Sequence, residues 1–172
     1  MTERIFLIGF MGSGKSSIGE RLAQRMGWQF VDTDRLIEAT HHTTIAQIFA
    51  QQGESAFRAI ECEVLAQLLP QRHIVVATGG GMACCQQNIE AMNAAGTTVY
   101  LQASAENLAI WLKPERKNRP LIAQQSEEQL LPYIVQTLSQ REKFYQQATF
   151  TICVDQNYTT DNEIVSRIVN LL

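Results

Sequence analysis

The stretch Gly9-Phe10-Met11-Gly12-Ser13-Gly14-Lys15-Ser16 decides how this chain is read. It satisfies GxxxxGK[ST] at every fixed position. The residues before it, Ile5-Phe6-Leu7-Ile8, form a short apolar run of the kind a buried parallel strand shows. After it, Ile18, Leu22 and Met26 recur four apart, which predicts a helix with one apolar face that stops at Gly27. Strand, glycine loop and helix in this order make a cradle for phosphate. Glycines let backbone N–H groups turn inward around phosphate oxygens, and the helix N-terminus adds partial positive charge. Lys15 then reaches the β- and γ-phosphates, and the Ser16 hydroxyl can ligate Mg2+. The stretch predicts nucleoside triphosphate binding, but not what is done with the phosphate.

Outward from the loop, the chain alternates between strand and helix signals. Gln29-Phe30-Val31-Asp32 predicts a second strand, and Ile45, Ile48 and Phe49 a short helix ending at Gly53. A further helix is expected over residues 55–69, stopped by Pro70, and a third strand at Ile74-Val75-Val76-Ala77. A helix over 86–94 precedes a fourth strand, Thr97-Thr98-Val99-Tyr100-Leu101, and Ser104 can cap a helix running to about Leu112. Residues 113–125 are polar and read as a mobile loop. A long helix over 127–147 has Pro132 in its first turn or at a break. A fifth strand, residues 149–154, and a closing helix over 161–171 complete the order. Five strands separated by helices imply an α/β fold, a parallel sheet covered on both faces. In such sheets ligands bind beyond the carboxyl ends of the strands.

Composition narrows the class. With 172 residues, 45% of them hydrophobic and 18% charged, the chain is expected to be one ordinary globular domain over 1–172. A net charge of −3 argues against a nucleic-acid partner. No apolar run is long enough for a membrane span, and the N-terminus has no signal or transit character, so a cytoplasmic protein is expected. No long apolar stripe demands a partner, so a monomer is expected. Cys62, Cys84, Cys85 and Cys153 form no CxxC pair and read as buried or half-buried thiols.

Several other residues carry chemistry. Asp32-Thr33-Asp34 ends the second strand; if it stays extended, both carboxylates point the same way. One can hold a metal through water and the other can accept a hydrogen bond from an attacking hydroxyl. The alternative for Asp34 is a helix N-cap. Arg58 has Glu54 four residues before it and Glu61 three after, which fits either surface ion pairs or an Arg fork aimed at a carboxylate. Gly79-Gly80-Gly81 directly follows the third strand and permits close approach of backbone to a ligand. Arg116, Lys117 and Arg119 make residues 113–125 cationic, suited to closing over a phosphate. No NKxD-type base-reading motif is present, which argues against a GTPase, and the length suits a small-molecule kinase.

Taken in order, these elements resemble the shikimate kinase family along nearly the whole chain. The motifs are Gly9–Ser16, Asp32-Thr33-Asp34, Gly53-Glu54 with Phe57-Arg58 and Glu61, the glycine run, Arg119-Pro120-Leu121, and Arg141 with Tyr145. The resemblance implies a three-layer α/β/α P-loop kinase with strand order 2-3-1-4-5. It implies a lid over about 113–125 and a substrate-binding region over about 33–61. It implies ATP-dependent phosphorylation of the 3-hydroxyl of shikimate, with Mg2+. By resemblance, Gly12, Ser13, Gly14, Lys15, Ser16, Ser17 and Arg119 hold the nucleotide, and Ser16 and Asp32 serve the metal. Asp34, Arg58, Gly79, Gly80, Gly81 and Arg141 bind shikimate, the two arginines on its carboxylate. Lys15, Asp34 and Arg119 are catalytic. A gluconate or nucleoside monophosphate kinase, or a nucleotide switch without turnover, are the alternatives. Family members usually carry an adenine-stacking Arg where this chain has Trp111, and the loop Asp155-Gln156-Asn157-Tyr158 matches only loosely.

Overall fold

The computed structural model describes residues 3–116, 119, 121–155 and 160–172. Strand β1 (Arg4–Ile8) leads into helix α1 (Lys15–Met26), and β2 (Gln29–Asp32) into α2 (Thr33–His41) and α3 (Ile45–Leu68). Then come β3 (Ile74–Ala77), α4 (Gln86–Ala95), β4 (Thr97–Gln102) and α5 (Ala105–Leu112). Helix α6 (Glu127–Tyr145), β5 (Phe150–Cys153) and α7 (Asp161–Leu171) end the chain. The five strands are parallel, in the order β2-β3-β1-β4-β5, as the resemblance implied.

β1 shows why its run is continuously apolar. Ile5 and Leu7 face one core with α1, α5 and α7, while Phe6 and Ile8 face the other with α3 and α4. Side chains alternate along a strand, so a central strand covered on both faces needs apolar residues at every position. All four are fully buried. Because β1 is central, the loop that follows it opens at the middle of the sheet's carboxyl edge.

Local signals set most boundaries. Gly27 adopts φ 68 after α1, and its N–H bonds back to the Ala23 and Gln24 carbonyls. The Ser104 hydroxyl accepts the Asn107 N–H and caps α5. The helix expected to end at Gly53 and the one expected to follow it both form; they are the two arms of α3, which breaks at Gly53, where φ 81 and ψ 173 are not helical. Pro132 lies in the second turn of α6, and the helix continues through it. Cys62 and Cys153 are exposed, contrary to the expected burial; Cys84 and Cys85 are half-buried, and all four are free. Among the described residues no helix is long and apolar enough to cross a membrane.

Candidate active site

The loop between β1 and α1 is shaped before any anion arrives. Gly14 caps α1 with φ 87, a left-handed conformation that a residue with a Cβ rarely adopts. Lys15 opens the helix, yet its side chain turns back into the loop. Its Nζ donates to the carbonyls of Gly9 at 2.9 Å and Phe10 at 2.7 Å. Burial lowers the Lys15 pKa to about 8, with Asp34 opposing the shift. The Ser13 hydroxyl is buried and has no partner among the described residues. Ser16 Oγ donates to Asp32 Oδ2 at 2.5 Å, and the Ser17 hydroxyl donates to Asp161 at the start of α7.

Asp32 and Asp34 divide their work differently from the sequence expectation. The segment does not stay extended, because α2 begins at Thr33. Asp32, not Asp34, is the helix cap: its Oδ1 accepts the N–H groups of Asp34 at 3.0 Å and Arg35 at 3.2 Å. That leaves Oδ2 for Ser16. Asp34 occupies the first turn of α2. Its carboxyl pKa is raised to about 6, by burial first and by the neighbouring Asp32 second, against the pull of Lys15 and Arg119. Thr33 Oγ1 accepts the Gly79 N–H at 2.8 Å, which ties the start of α2 to the glycine run.

The glycine run is crowded rather than merely flexible. A Cβ on Gly81 would lie 2.2 Å from Arg58 Nη1, and one on Gly79 would lie 2.5 Å from Asp34 Oδ1 and 3.0 Å from Glu61 Oε1. The Arg58 guanidinium therefore lies against bare backbone. Glu61 holds it at 2.6 Å and Glu54 at 2.8 Å. Burial works against the Arg58 charge, but the two glutamates outweigh it and raise its pKa above the ordinary Arg value. Glu61 is only 1% exposed, and its Oε1 has no hydrogen-bond partner among the described residues. Burial raises its pKa despite Arg58. From the other side, Arg141 Nη1 at 3.2 Å and the Tyr145 hydroxyl at 2.5 Å both donate to the Gly80 carbonyl. The Tyr145 ring stacks on Tyr100 of β4, with centroids 5.0 Å apart.

Two cavities meet over these residues. One, of about 260 Å³, is walled by the glycine loop, Lys15, Ser16, Ser17 and Trp111. The other, of about 560 Å³, is walled by Arg58, Glu61, the glycine run and Arg141. They share Met11, Ser16, Asp32, Asp34, Gly80 and Arg119. Of the residues that the resemblance assigns to nucleotide, metal or shikimate, all except Ser13 thus line one cavity or both; Arg116 lines neither. Arg119 donates to Glu115 at 2.5 Å, on the wall of the smaller cavity. Lys113 is drawn away to Glu127 at 2.7 Å. Lys117 and Pro120 lie outside the described residues, as do Gln156, Asn157 and Tyr158. Asp155, before that loop, accepts the Ser104 N–H at 2.8 Å. Cys84 and Cys85 line a neighbouring cavity of about 590 Å³ that shares Arg58 and Arg141 with the larger of the two.

A family model described as shikimate kinase matches residues 11–172. The chain belongs to the shikimate kinase family. The shikimate kinase of Parabacteroides distasonis is 41% identical over 157 residues, covering 91% of each chain. Among solved structures, the shikimate kinase of Bacteroides thetaiotaomicron superposes with a TM-score of 0.92 at 32% identity, covering 99% of this chain and 98% of that one. The shikimate kinase of Acinetobacter baumannii, solved in complex with shikimate, gives a TM-score of 0.89 at 34% identity, covering 99% and 93%. Relatives named shikimate kinase thus match this chain in sequence over about nine-tenths of its length and in fold over nearly all of it.

Proposed function

We propose that the chain transfers the γ-phosphoryl group of ATP to the 3-hydroxyl of shikimate, giving shikimate 3-phosphate and ADP. The observation that carries this reading is the shared wall. A phosphate cavity and a larger cavity that holds Arg58 and Arg141 meet at Asp34, Arg119 and Gly80, the place where a phosphoryl group would cross. Such transfer needs little covalent help, so positioning and charge neutralisation supply most of the rate.

Arg58 and Arg141 hold the shikimate carboxylate, Arg58 with its fork fixed by two glutamates. The backbone of Gly79, Gly80 and Gly81 and the Asp34 carboxylate bracket the ring hydroxyls. Asp34 orients the 3-hydroxyl and takes its proton as the new oxygen–phosphorus bond forms. Lys15 leaves the Gly9 and Phe10 carbonyls for the β- and γ-phosphates, and Gly12, Ser13, Gly14, Ser16 and Ser17 line the rest of the cradle. Arg119, released from Glu115, neutralises charge on the transferred group, with residues 113–125 acting as a lid.

The site also suits Mg2+. Ser16 Oγ and Asp32 Oδ2, 2.5 Å apart, are hard oxygen donors. The described residues hold no cluster of three or more His, Cys, Asp or Glu that could cage a metal. That matches an ion held by one or two side chains, water and substrate phosphates. Ser16 would hold it directly and Asp32 through water. When bound, it supplies charge neutralisation on the phosphate oxygens.

The test is shikimate-dependent ADP release, with and without Mg2+, run beside gluconate and nucleoside monophosphates. Release with shikimate alone is expected; equal release with another acceptor would overturn the substrate assignment. Arg119→Ala is expected to lower kcat more than it raises either KM, because its contact strengthens in the transition state. A change confined to KM would contradict that role.

A pH profile tests Asp34. As pH falls through about 6 its carboxylate takes up a proton and can no longer accept one from shikimate. As pH rises through about 8 in the free enzyme, Lys15 loses its charge. The profile of kcat/KM reports free-enzyme groups, so it should be a bell with limbs near those values. Asp34→Asn should erase the acidic limb and leave only residual activity. A level profile between about pH 5 and 7 would remove Asp34 from the role of base.

A further inference from the structure

Ser17 presents a conflict that the nucleotide site must resolve. It lies one residue past the loop, on the wall of the phosphate cavity. Its hydroxyl carries one proton, and that proton is already given to Asp161 Oδ2, 144 residues away. Asp161 is the first residue of α7 and is held in place from a second direction by Arg21 Nε at 3.4 Å. Two further contacts along the same seam, Arg21 to Asn162 at 3.3 Å and Arg25 to Ser166 at 2.9 Å, hold α7 against α1. The carboxylate is thus part of a built helix–helix contact.

We propose that Asp161 sets the affinity for the nucleotide by competing with it for the Ser17 hydroxyl. This rests on the reading of the loop as an ATP and ADP site. A phosphate oxygen and a carboxylate oxygen are both acceptors, and Ser17 can serve only one of them with its proton. If Ser17 stays with Asp161, it turns lone pairs toward the phosphate. If it turns to the phosphate, the Asp161 oxygen loses a charge-assisted bond. Either way Asp161 weakens nucleotide binding, and product ADP leaves more readily.

The experiment is a double-mutant cycle read by calorimetric titration of ADP with Mg2+ into the full chain. Asp161→Ala is expected to tighten ADP about three- to tenfold, the value of one hydrogen bond recovered. In the Ser17→Ala background the same change should alter ADP affinity by less than about twofold, since no hydroxyl is left to release. An equal gain in both backgrounds would mean that Asp161 acts by through-space charge alone, and would overturn the competition. So would an unchanged or weaker affinity in Asp161→Ala. If the unaltered chain binds no ADP, the nucleotide site itself fails and this inference with it. Binding by the parent with no coupling between the two positions defeats the inference alone.

Discussion

Lys15→Met is expected to lower kcat by about 10³-fold or more while leaving the fold in place. The two halves of this expectation come from different features of one side chain. Lys15 is 8% exposed, so methionine, unbranched and of similar length, can fill its place. The change removes a buried ammonium whose desolvation already lowers its pKa. It also takes a donor from two carbonyls, but Phe10 O keeps the Ser13 N–H at 3.3 Å. A net stability change of about 1 kcal/mol in either direction follows from these opposing effects. Nothing replaces the charge on the transferring phosphate. Shikimate-dependent ADP release and a thermal melt check both halves. Turnover near the parent's would sink the role, and a collapsed melt would show that the loop needs Lys15 to fold.

Arg58→Ala should have two consequences that can be separated. The first is weaker shikimate binding, by about 2–4 kcal/mol, for the loss of a charge-assisted contact held by a preset fork. That is a rise of about 30- to 1000-fold in Kd. The second is structural. Glu61 is 1% exposed and would lose the guanidinium paired with it, and breaking such a buried pair costs about 3–5 kcal/mol before the carboxyl relieves itself by protonation. Adding Glu61→Gln removes the stranded charge. The double variant should regain thermal stability but not shikimate affinity. Recovery of both by Glu61→Gln would mean that Arg58 only supports the fold, and an unchanged Kd in Arg58→Ala would mean the same.

Much of this was readable from the chain because the signals are local. A glycine loop between an apolar run and a periodic helix carries its own geometry, and the run Ile5–Ile8 of β1 shows two-sided burial by having no polar position. Glu54 and Glu61 sit at helical spacing from Arg58, so both ion pairs were legible. Sequence spacing could not tell that one glutamate is exposed and the other sealed, since that depends on the glycine run brought over from β3. The Asp32-Thr33-Asp34 reading failed in its geometry. Alternation assumes an extended chain, and the helix begins one residue earlier than that allows. The cap role went to Asp32 because its β conformation and free Oδ1 precede the turn. The Ser17–Asp161 contact had no local signal, for its halves are joined only by the packing of α7 on α1. Glu61 as a buried, half-partnered carboxyl was missed for the same reason.

Tyr145 belongs to two systems at once. Its ring is interior packing against Tyr100, fully buried, while its hydroxyl fixes the Gly80 carbonyl at the junction of the two cavities. Heritable change in such a residue cannot be sorted into stabilising and functional classes. A substitution in the β4–α6 interior that moved the Tyr145 ring would also move its hydroxyl, and with it the Gly80 carbonyl at that junction. Selection for heat tolerance and selection for a new acceptor would therefore pull on the same atoms.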